Sequence, residues 1–339
     1  DFCLSRGLGD VYKRQEKGDA TYQFGIDYLR DVWYSTSYLL DRKQSMNGCA
    51  KKRFENYKKQ PLEFVFDKSF TGKLSQFGLN PDRRTPTGIK AAIIREKGTN
   101  GEREMAYMLY LAGFDVKDVT MTDLVSGRET LEDINFIVFC GGFSNSDVLG
   151  SAKGWAGAFL FNPKAKAALD NFYARKDTLS LGVCNGCQLM IELNLINPDF
   201  TKKAKMLHND SHKFESKFVG VTVPMNRSVM FGSLSGSKLG IWVAHGEGKF
   251  SLPYHEDKYN VVLKYSYDEY PGNPNGSDYS VAGLASPDGR HLAMMPHLER
   301  SCFPWQNAYY PADRIKNDQI TPWMEAFVNA RKWIEMNKK

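Results

Sequence analysis

The sequence of 339 residues lacks any apolar run that approaches the roughly 18 residues needed for a membrane span. It has no phosphate-binding loop of the Walker type, no internal repeat and no low-complexity tract. Its six cysteines are unevenly spaced, which disfavours the disulfide framework of a secreted protein and favours a reducing cytoplasm. The net charge of +6 is modest and dispersed, so we expect neither nucleic acid nor a membrane as a partner.

The sequence also lacks an initial methionine, and residues 1–15 have neither a signal-peptide pattern nor a convincing periodicity. Residues 10–15 resemble the translation of an adapter used in preparing sequencing libraries. We therefore expect residues 1–15 to be a non-native tail on an incomplete chain. An ordinary disordered tail is the alternative interpretation.

One cysteine stands in a pattern that indicates chemistry. The apolar residues Leu179–Val183 predict a buried strand and residues 187–193 predict a helix, with Cys184 at the turn between them. A reactive side chain at a strand-to-helix turn is typical of a nucleophile elbow, and Gly182 and Gly186 lack the Cβ atoms that would crowd it. The amides at the start of the helix would favour a thiolate. We therefore predict that Cys184 is a nucleophile.

Other interpretations of the same cysteines are open. Cys184 and Cys187 form a C-x-x-C, which is compatible with a redox pair, half of a zinc site or two plain buried thiols. The sequence contains no second C-x-x-C. His208 and His212 are four residues apart, but the residues between them favour a turn over a metal-binding helix. We therefore favour the nucleophile and predict no metal site.

Three regions follow one another along the chain. Residues 16–87 predict a helical segment and linker, with an amphipathic helix over 21–42, a charged helix over 51–59 and an irregular connector. Residues 88–339 predict an α/β domain, because nearly continuous apolar strands alternate with helices. Its first half has predicted strands at 91–94, 116–119 and 134–140 and predicted helices at 101–112 and 164–173. Its second half is rich in β-structure, with a predicted hairpin over 281–295 and a final helix over 323–336. The expected fold is a doubly wound, mostly parallel sheet with flanking helices.

Ligands of such sheets gather at the carboxyl ends of the strands, where Gly141, Gly142 and Cys184 all fall. Backbone amides of the Gly141-Gly142 turn and of Asn185 are therefore candidates for binding the oxyanion that forms when a thiolate attacks an amide.

A thiolate that attacks an amide also needs a histidine as base and acid, oriented by a carboxylate. Two pairs have a glutamate two residues after a histidine, His245 with Glu247 and His297 with Glu299. Each pair follows an apolar strand, and residues i and i+2 of an extended chain share a face. Local physics leaves the two pairs nearly level, with a slight preference for His297 because Pro296 stiffens its approach.

Several motifs together resemble the class I (triad) glutamine amidotransferases, and within them the glutaminase portion of the phosphoribosylformylglycinamidine synthases. In chain order these motifs are REKGTNGERE from Arg95, CGGFS from Cys140, GVCNGCQ from Gly182, HNDS from His208, AHGEG from Ala244 and MPHLER from Met295. The resemblance covers about residues 88–335, and residues 29–49 resemble the segment that joins the synthase part to the glutaminase part of the single-chain enzymes.

The resemblance implies a fold with a flavodoxin-like core and a role for each candidate residue. Cys184 would form a glutamyl thioester and release ammonia, with His297 as its base and acid and Glu299 orienting His297. The remaining candidates for oxyanion and substrate binding are Gly141, Gly142, Asn185, Gln188, Asn209 and His245.

The resemblance also implies what lies outside the chain. ATP and magnesium would bind to the synthase domains, which would use the ammonia to convert formylglycinamide ribonucleotide to its amidine, and no cofactor is expected in this chain. Members of the family often have Tyr-Gly where this chain has Asn145-Ser146, which leaves the shape of the oxyanion loop open. A stand-alone cysteine hydrolase of the same fold and an inactive binding module are alternative functions.

Overall fold

The computed structural model describes residues 12–17, 20–60 and 62–338. Most of the tail predicted over residues 1–15 lies outside the described residues. The helices of the described part are α1 Ile26–Gln44, α2 Cys49–Asn56, α3 Glu102–Leu111, α4 Met121–Ser126, α5 Lys153–Phe161, α6 Pro163–Ala174, α7 Asn185–Glu192 and α8 Trp323–Asn337.

The strands alternate with these helices in the first half of the domain and follow one another in the second half. They are β1 Tyr12–Lys17, β2 Ala20–Gly25, β3 Lys90–Arg95, β4 Thr99–Asn100, β5 Asp115–Thr120, β6 Phe136–Phe139, β7 Gly141–Gly142, β8 Leu179–Val183, β9 Lys205–Leu207, β10 Glu215–Thr222, β11 Lys238–His245, β12 Lys249–Ser251, β13 Asn260–Tyr265, β14 Val281–Ala285 and β15 His291–Met294.

A nine-stranded sheet organises the domain, in the order β11-β10-β13-β14-β15-β8-β6-β3-β5. The strands from β15 to β5 are parallel, and the strands from β11 to β15 pair in an antiparallel manner. Every residue of β6 and β8 is buried, since helices cover both faces of the parallel half. This arrangement confirms the predicted α/β fold with a mostly parallel core and an antiparallel hairpin over 281–295.

The boundaries of some predicted elements are wrong. Helix α1 begins at Ile26, because residues 20–25 pair with β1 as an antiparallel strand. From Asp123 onward the sequence predicts a charged loop, whereas the structure has helix α4 at Met121–Ser126, with a capping box that joins Thr120 and Asp123. Helix α5 had no counterpart in the prediction, because four of its nine residues are glycine or alanine and its apolar residues have little periodicity.

The final helix and the elbow strand agree with the prediction within a residue or two. Within the part of the chain that the structure describes, no helix combines the length and apolar character that a membrane crossing requires. Strand β8 lies in the middle of the sheet between β6 and β15, and its carboxyl end delivers the residues of the site.

Candidate active site

Cys184 occupies a sharp turn between β8 and α7. Its backbone has φ 53° and ψ −107°, a conformation that a residue with a Cβ atom adopts only when its surroundings enforce it. The amide of Cys184 donates to the carbonyl of Met294 at 2.9 Å, and its carbonyl accepts from the amide of Gln188 at 3.0 Å. The turn is therefore anchored on both sides, to β15 and to the first turn of α7.

Two glycines allow the helix to approach the sheet at this turn. A Cβ atom on Gly186 would lie 2.0 Å from the carbonyl oxygen of Phe139, and one on Gly182 would lie 2.5 Å from the carbonyl oxygen of Gly186. Backbone atoms cannot yield as a flexible side chain can, so α7 packs against β6 and β8 only with glycine at both positions. This close packing directs the start of α7 toward the sulfur.

His297 and Glu299 form a buried hydrogen-bonded pair beside the thiol. His297 Nδ1 donates to Glu299 Oε1 at 2.6 Å, and the two residues are 2% and 1% exposed. The amide of His297 donates to the carbonyl of Trp242 at 2.8 Å, which ties the loop after β15 to β11. The imidazole is therefore fixed by a carboxylate at one nitrogen, as a general base and acid requires.

The charges around His297 favour its protonated form. Burial lowers the pKa of His297, but the nearby charges of Glu299 and Cys184 and hydrogen bonds to both groups outweigh burial and raise that pKa to about 10. An imidazolium held beside the sulfur can give its proton to a leaving group once the sulfur has attacked.

Gly141 lies between the imidazole and the nucleophile. A Cβ atom at this position would lie 2.8 Å from His297 Cε1 and 3.3 Å from Cys184 Cβ. The strand β7 that contains Gly141 and Gly142 pairs with β4, so its backbone runs close to the thiol. Gly141 is thus close to Cys184, and Asn185 follows Cys184 directly at the start of α7. The binding of an oxyanion by their amides remains a prediction.

The oxyanion turn continues into a strained loop. Asn145, Ser146 and Asp147 have φ angles of 52°, 56° and 51°, all in the left-handed region. The Asn185 side chain holds the start of this loop, because its Oδ1 accepts from the amide of Ser144 at 3.1 Å. Asn185 thus has a second role that the sequence did not indicate, as the anchor of the oxyanion loop.

Gln188 supports the site one helical turn after Cys184. Its Oε1 accepts from Asn185 Nδ2 at 2.9 Å, and its Nε2 donates to the carbonyl of Glu247 at 2.7 Å. The side chain is buried and both of its ends are bonded within the protein. Gln188 therefore shapes the wall of the site, and its predicted part in substrate binding remains a prediction.

The second His-x-Glu pair does not form a dyad. Glu247 Oε1 lies 3.8 Å from His208 Nδ1, while His245 Nδ1 lies 3.2 Å from Asn209 Oδ1. Burial, and next the charge of His297, lower the pKa of His245 to about 3, so its ring stays neutral. Its Nε2 has no partner among the described residues. The geometry favours His297 over His245 as the base.

Cys187 lies on the buried side of α7, away from the solvent. Burial raises its pKa well above the ordinary value, and both Cys184 and Cys187 are free thiols. The described residues include no group of three or more His, Cys, Asp or Glu side chains that could hold a metal ion. The structure therefore lends no support to the redox or zinc interpretation of the C-x-x-C.

The contact between the Cys184 thiol and the backbone of Ala244 could not be predicted from residue types. Cys184 Sγ lies 3.5 Å from the carbonyl oxygen of Ala244, which accepts a hydrogen bond from the thiol form. Any residue type presents such a carbonyl, so only the path of the backbone brings it to the site. The resemblance of AHGEG to a family motif was the one available indication that this segment lies near Cys184.

Comparisons with known proteins agree with this geometry. Residues 88–334 match the model of the CobB/CobQ-like glutamine amidotransferase domain. The chain is 40% identical over 334 residues to the probable phosphoribosylformylglycinamidine synthase, chloroplastic/mitochondrial, of Arabidopsis thaliana, with 91% of this chain and 23% of the relative covered. It is 40% identical over 339 residues to the phosphoribosylformylglycinamidine synthase of Homo sapiens, with 91% of this chain and 25% of the relative covered.

The chain thus spans about a quarter of the length of these curated relatives. Among solved structures it is similar to PurLQS from Thermotoga maritima, with a TM-score of 0.55, 27% identity, and 74% of this chain and 99% of that chain covered. The matched family region contains the elbow, the His297–Glu299 pair and the oxyanion turn. This chain belongs to the CobB/CobQ-like glutamine amidotransferase domain family.

Proposed function

We propose that this chain hydrolyses L-glutamine through a thioester on Cys184, as the glutaminase part of a phosphoribosylformylglycinamidine synthase. The observation that carries the proposal is the backbone of Cys184, held at φ 53° beside a buried His297–Glu299 pair, within a domain of the glutamine amidotransferase family. The similarity to synthases from a plant and from humans supports the assignment to purine biosynthesis.

The first half-reaction forms the thioester. The Cys184 sulfur attacks the side-chain carbonyl carbon of glutamine, and the carbonyl π electrons move to oxygen, where amides of the Gly141-Gly142 turn and of Asn185 stabilise the charge. His297 then gives its proton to the amide nitrogen, and the carbon–nitrogen bond breaks to release ammonia. Glu299 stabilises the imidazolium before this transfer through the 2.6 Å hydrogen bond to Nδ1.

The second half-reaction restores the enzyme. His297, now neutral, accepts a proton from water, whose oxygen attacks the thioester carbonyl. The carbon–sulfur bond then breaks, glutamate leaves, and the sulfur is again paired with a protonated imidazole. The same three side chains thus serve both steps.

The fate of ammonia forms the wider part of the proposal. Synthase domains that bind ATP, magnesium and formylglycinamide ribonucleotide would consume ammonia to form the amidine, with glutamate, ADP and phosphate as the other products. The partner is therefore the synthase part of the same enzyme. We place the enzyme in a reducing compartment such as the cytoplasm, because the described cysteines, including the nucleophile, are free thiols.

The test measures glutamate released from glutamine by the purified chain, with and without added synthase domains. Cys184→Ser is expected to abolish release, and a glutamine-mimicking diazo ketone is expected to label Cys184 alone. His297→Ala is expected to abolish turnover, whereas His245→Ala is expected to retain appreciable activity because its ring does not contact a carboxylate.

Three results would contradict the proposal. Hydrolysis of unrelated amides or peptides without any of glutamine would favour a stand-alone cysteine hydrolase. A thiol that stays unlabelled even with the synthase domains present would favour an inactive binding module. Activity that survives His297→Ala but not His245→Ala would overturn the assignment of the base.

A further inference from the structure

One wall of the site is the turn at residues 244–248, which begins with the last two residues of β11. The carbonyl of Ala244 lies 3.5 Å from Cys184 Sγ, and the carbonyl of Glu247 accepts from Gln188 Nε2 at 2.7 Å. A shift of this turn would therefore move groups that touch the nucleophile and the helix behind it. Displacements of about 1 Å at such positions can lower a rate by about a hundredfold.

Asn209 holds this turn from behind. Its side chain is fully buried, with Nδ2 donating to the carbonyl of His245 at 2.7 Å and Oδ1 accepting from the amide of Gly248 at 2.9 Å. Its own amide donates to the carbonyl of Gly246 at 2.9 Å. One asparagine thus binds the turn at three of its residues, His245, Gly246 and Gly248, and its predicted part in substrate binding remains a prediction.

The residues that follow Asn209 are held in turn by the helical segment α1–α2. The amide of Met46 donates to the carbonyl of Ser211 at 3.0 Å, and Asn47 Nδ2 donates to the carbonyl of Asp210 at 2.8 Å. These contacts join the loop between α1 and α2 directly to the two residues after Asn209.

Buried charges strengthen the same contact. Arg53 of α2 lies between Asp41 of α1, at 2.5 Å, and Glu215 at the start of β10, at 3.4 Å, while Lys213 Nζ lies 3.2 Å from Asp41. Asp41 and Glu215 are 6% and 2% exposed. Glu215 also pairs with Lys217 Nζ at 2.7 Å, so each buried carboxylate has two cationic partners, and Arg53 is the one that they share. Loss of Arg53 would weaken the compensation of both buried charges at once.

The cluster also reaches the turn from the sheet side. Glu215 is the residue opposite His245 in the ladder between β10 and β11, and Ser211 Oγ donates to Glu215 Oε1 at 2.6 Å. Residues 209–215 therefore lie between the helical segment on one side and the wall of the site on the other.

We propose that α1–α2 forms part of the apparatus for glutamine hydrolysis, with Asn209 as a positioning residue that couples this helical segment to the wall of the nucleophile's site. The inference rests on the proposed function and deepens it. Asp41 and Arg53 fix residues 209–215, Asn209 fixes the turn at 244–248, and the turn fixes the surroundings of Cys184. The segment that precedes the domain is thus more than a spacer.

The experiment uses the full chain and compares Arg53→Gln, Asp41→Asn and Asn209→Asp with the control Lys51→Gln. Lys51 belongs to the same helix as Arg53, and among the described residues its one ion pair is with Glu55, at 3.8 Å on the surface. We expect the first three changes to alter kcat or KM for glutamine by about threefold to thirtyfold and the control to leave both unchanged. Arg53→Lys, which keeps the charge, is expected to recover most of the loss.

A double-mutant cycle separates coupling from loss of structure. The double variant Arg53→Gln, Asn209→Asp is expected to change the kinetic constants, as free energies, by clearly less than the sum of the two single changes, because both substitutions loosen the same contact with the turn at 244–248. Full additivity, or kinetic constants in Arg53→Gln equal to those of the starting protein, would overturn the proposal. Circular dichroism and the melting temperature of the domain identify any variant that fails to fold.

A second readout does not depend on glutamine. The rate at which iodoacetamide modifies Cys184, followed by mass spectrometry, is expected to change at least about threefold in Arg53→Gln and Asn209→Asp but not in Lys51→Gln. If the chain releases no glutamate but the modification rates change as described, the proposed function is wrong and the coupling stands. Unchanged modification rates would overturn the coupling, whatever the glutaminase activity.

Discussion

At the residue scale, Gly141 lies between the Cys184 thiol and the His297 imidazole, where there is no room for a methyl group. We expect Gly141→Ala to lower kcat for glutamine hydrolysis by about a hundredfold, because its Cβ would lie 2.8 Å from His297 Cε1 and would displace the imidazole. Glutamate release measures the loss, and thermal melting shows whether the fold persists.

The matched control is the same substitution in a helix. Gly157→Ala in α5 places a Cβ no nearer than 3.8 Å to the ring of Phe161, an ordinary contact. We expect unchanged activity and a gain in stability of about 0.5–1 kcal/mol from the higher helix propensity of alanine. Equal kinetic effects of the two substitutions would contradict the role of Gly141.

Ser146 adopts a backbone conformation that suits glycine. Its φ of 56° lies in the left-handed region, where serine is strained. The family that the sequence resembles often has glycine at this position. We expect Ser146→Gly to raise the free energy of unfolding by up to about 1 kcal/mol, read from the urea midpoint. A lower midpoint would mean that the serine side chain stabilises the loop by more than the strain destabilises it.

The pair of His297 and Glu299 predicts a dependence of stability on pH. The pKa of His297 is raised to about 10, so its stabilising contribution is complete below the ordinary histidine pKa of 6.5 and is lost as pH rises toward 10. Glu299→Gln removes the charge that raises this pKa. We expect the deficit in unfolding free energy of the variant to be large at about pH 6 and to shrink toward about pH 10 in urea titrations. A constant deficit would contradict the assignment.

At the scale of elements, helix α1 has the predicted period, but much of its apolar side is exposed. Its apolar residues recur at helical spacing, yet Trp33 is 79% exposed. Periodicity shows that a helix has an apolar side, and it does not show what covers that side. The apolar face of α1 is consequently the clearest point at which the sequence pattern and the described structure differ.

Two tryptophans test this description. We expect Trp33→Ser to change the free energy of unfolding by less than about 0.5 kcal/mol, because the side chain is exposed. Trp323 of α8 is 1% exposed and its indole donates to the carbonyl of Gly240 at 2.9 Å, so Trp323→Ala is expected to lower that free energy by about 3–5 kcal/mol. A large loss in Trp33→Ser would show that α1 is covered.

The inner part of the parallel half of the sheet was predictable from sequence because β3, β6 and β8 are apolar on both faces. Helix α4 was not predictable, because a charged residue such as Asp123 is typical of a loop, and its part in the capping box with Thr120 is seen only in the structure.

In the site, Cys184 could be found from the glycines around it. The choice between His245 and His297 could not be made from spacing, because both pairs have the same spacing and each follows an apolar strand. It depends on which glutamate the fold brings to which ring, and His297 alone receives a carboxylate at 2.6 Å. The part played by Asn209 was equally hidden, since its partners are backbone groups 36 to 39 residues away.

At the scale of the whole molecule, the contact between α1–α2 and the domain depends on ionised Asp41. Burial raises the pKa of Asp41, but a hydrogen bond from Ser45 and the charges of Arg53 and Lys213 lower it overall below 3.8. The stabilisation is therefore present above the ordinary value and is lost as pH falls through the lowered one. We expect protection factors for amide exchange in α2 to fall as the pH drops below about 4.

The control for this experiment is Asp41→Asn, which carries no titrating carboxyl at that position. Its protection in α2 is expected to be lower at the outset and to change less with pH. Identical pH profiles in the two proteins would mean that another group governs the contact.

The burial of the nucleophile has a consequence for its detection. Cys184 is 4% exposed, and the other described cysteines are also buried. A bulky thiol reagent would reach the nucleophile only while the loops around it are open, and a brief survey of reactive cysteines would pass over it. Labelling of Cys184 would instead report how often the loops around it open, so that the same reagent measures a motion rather than a reactivity.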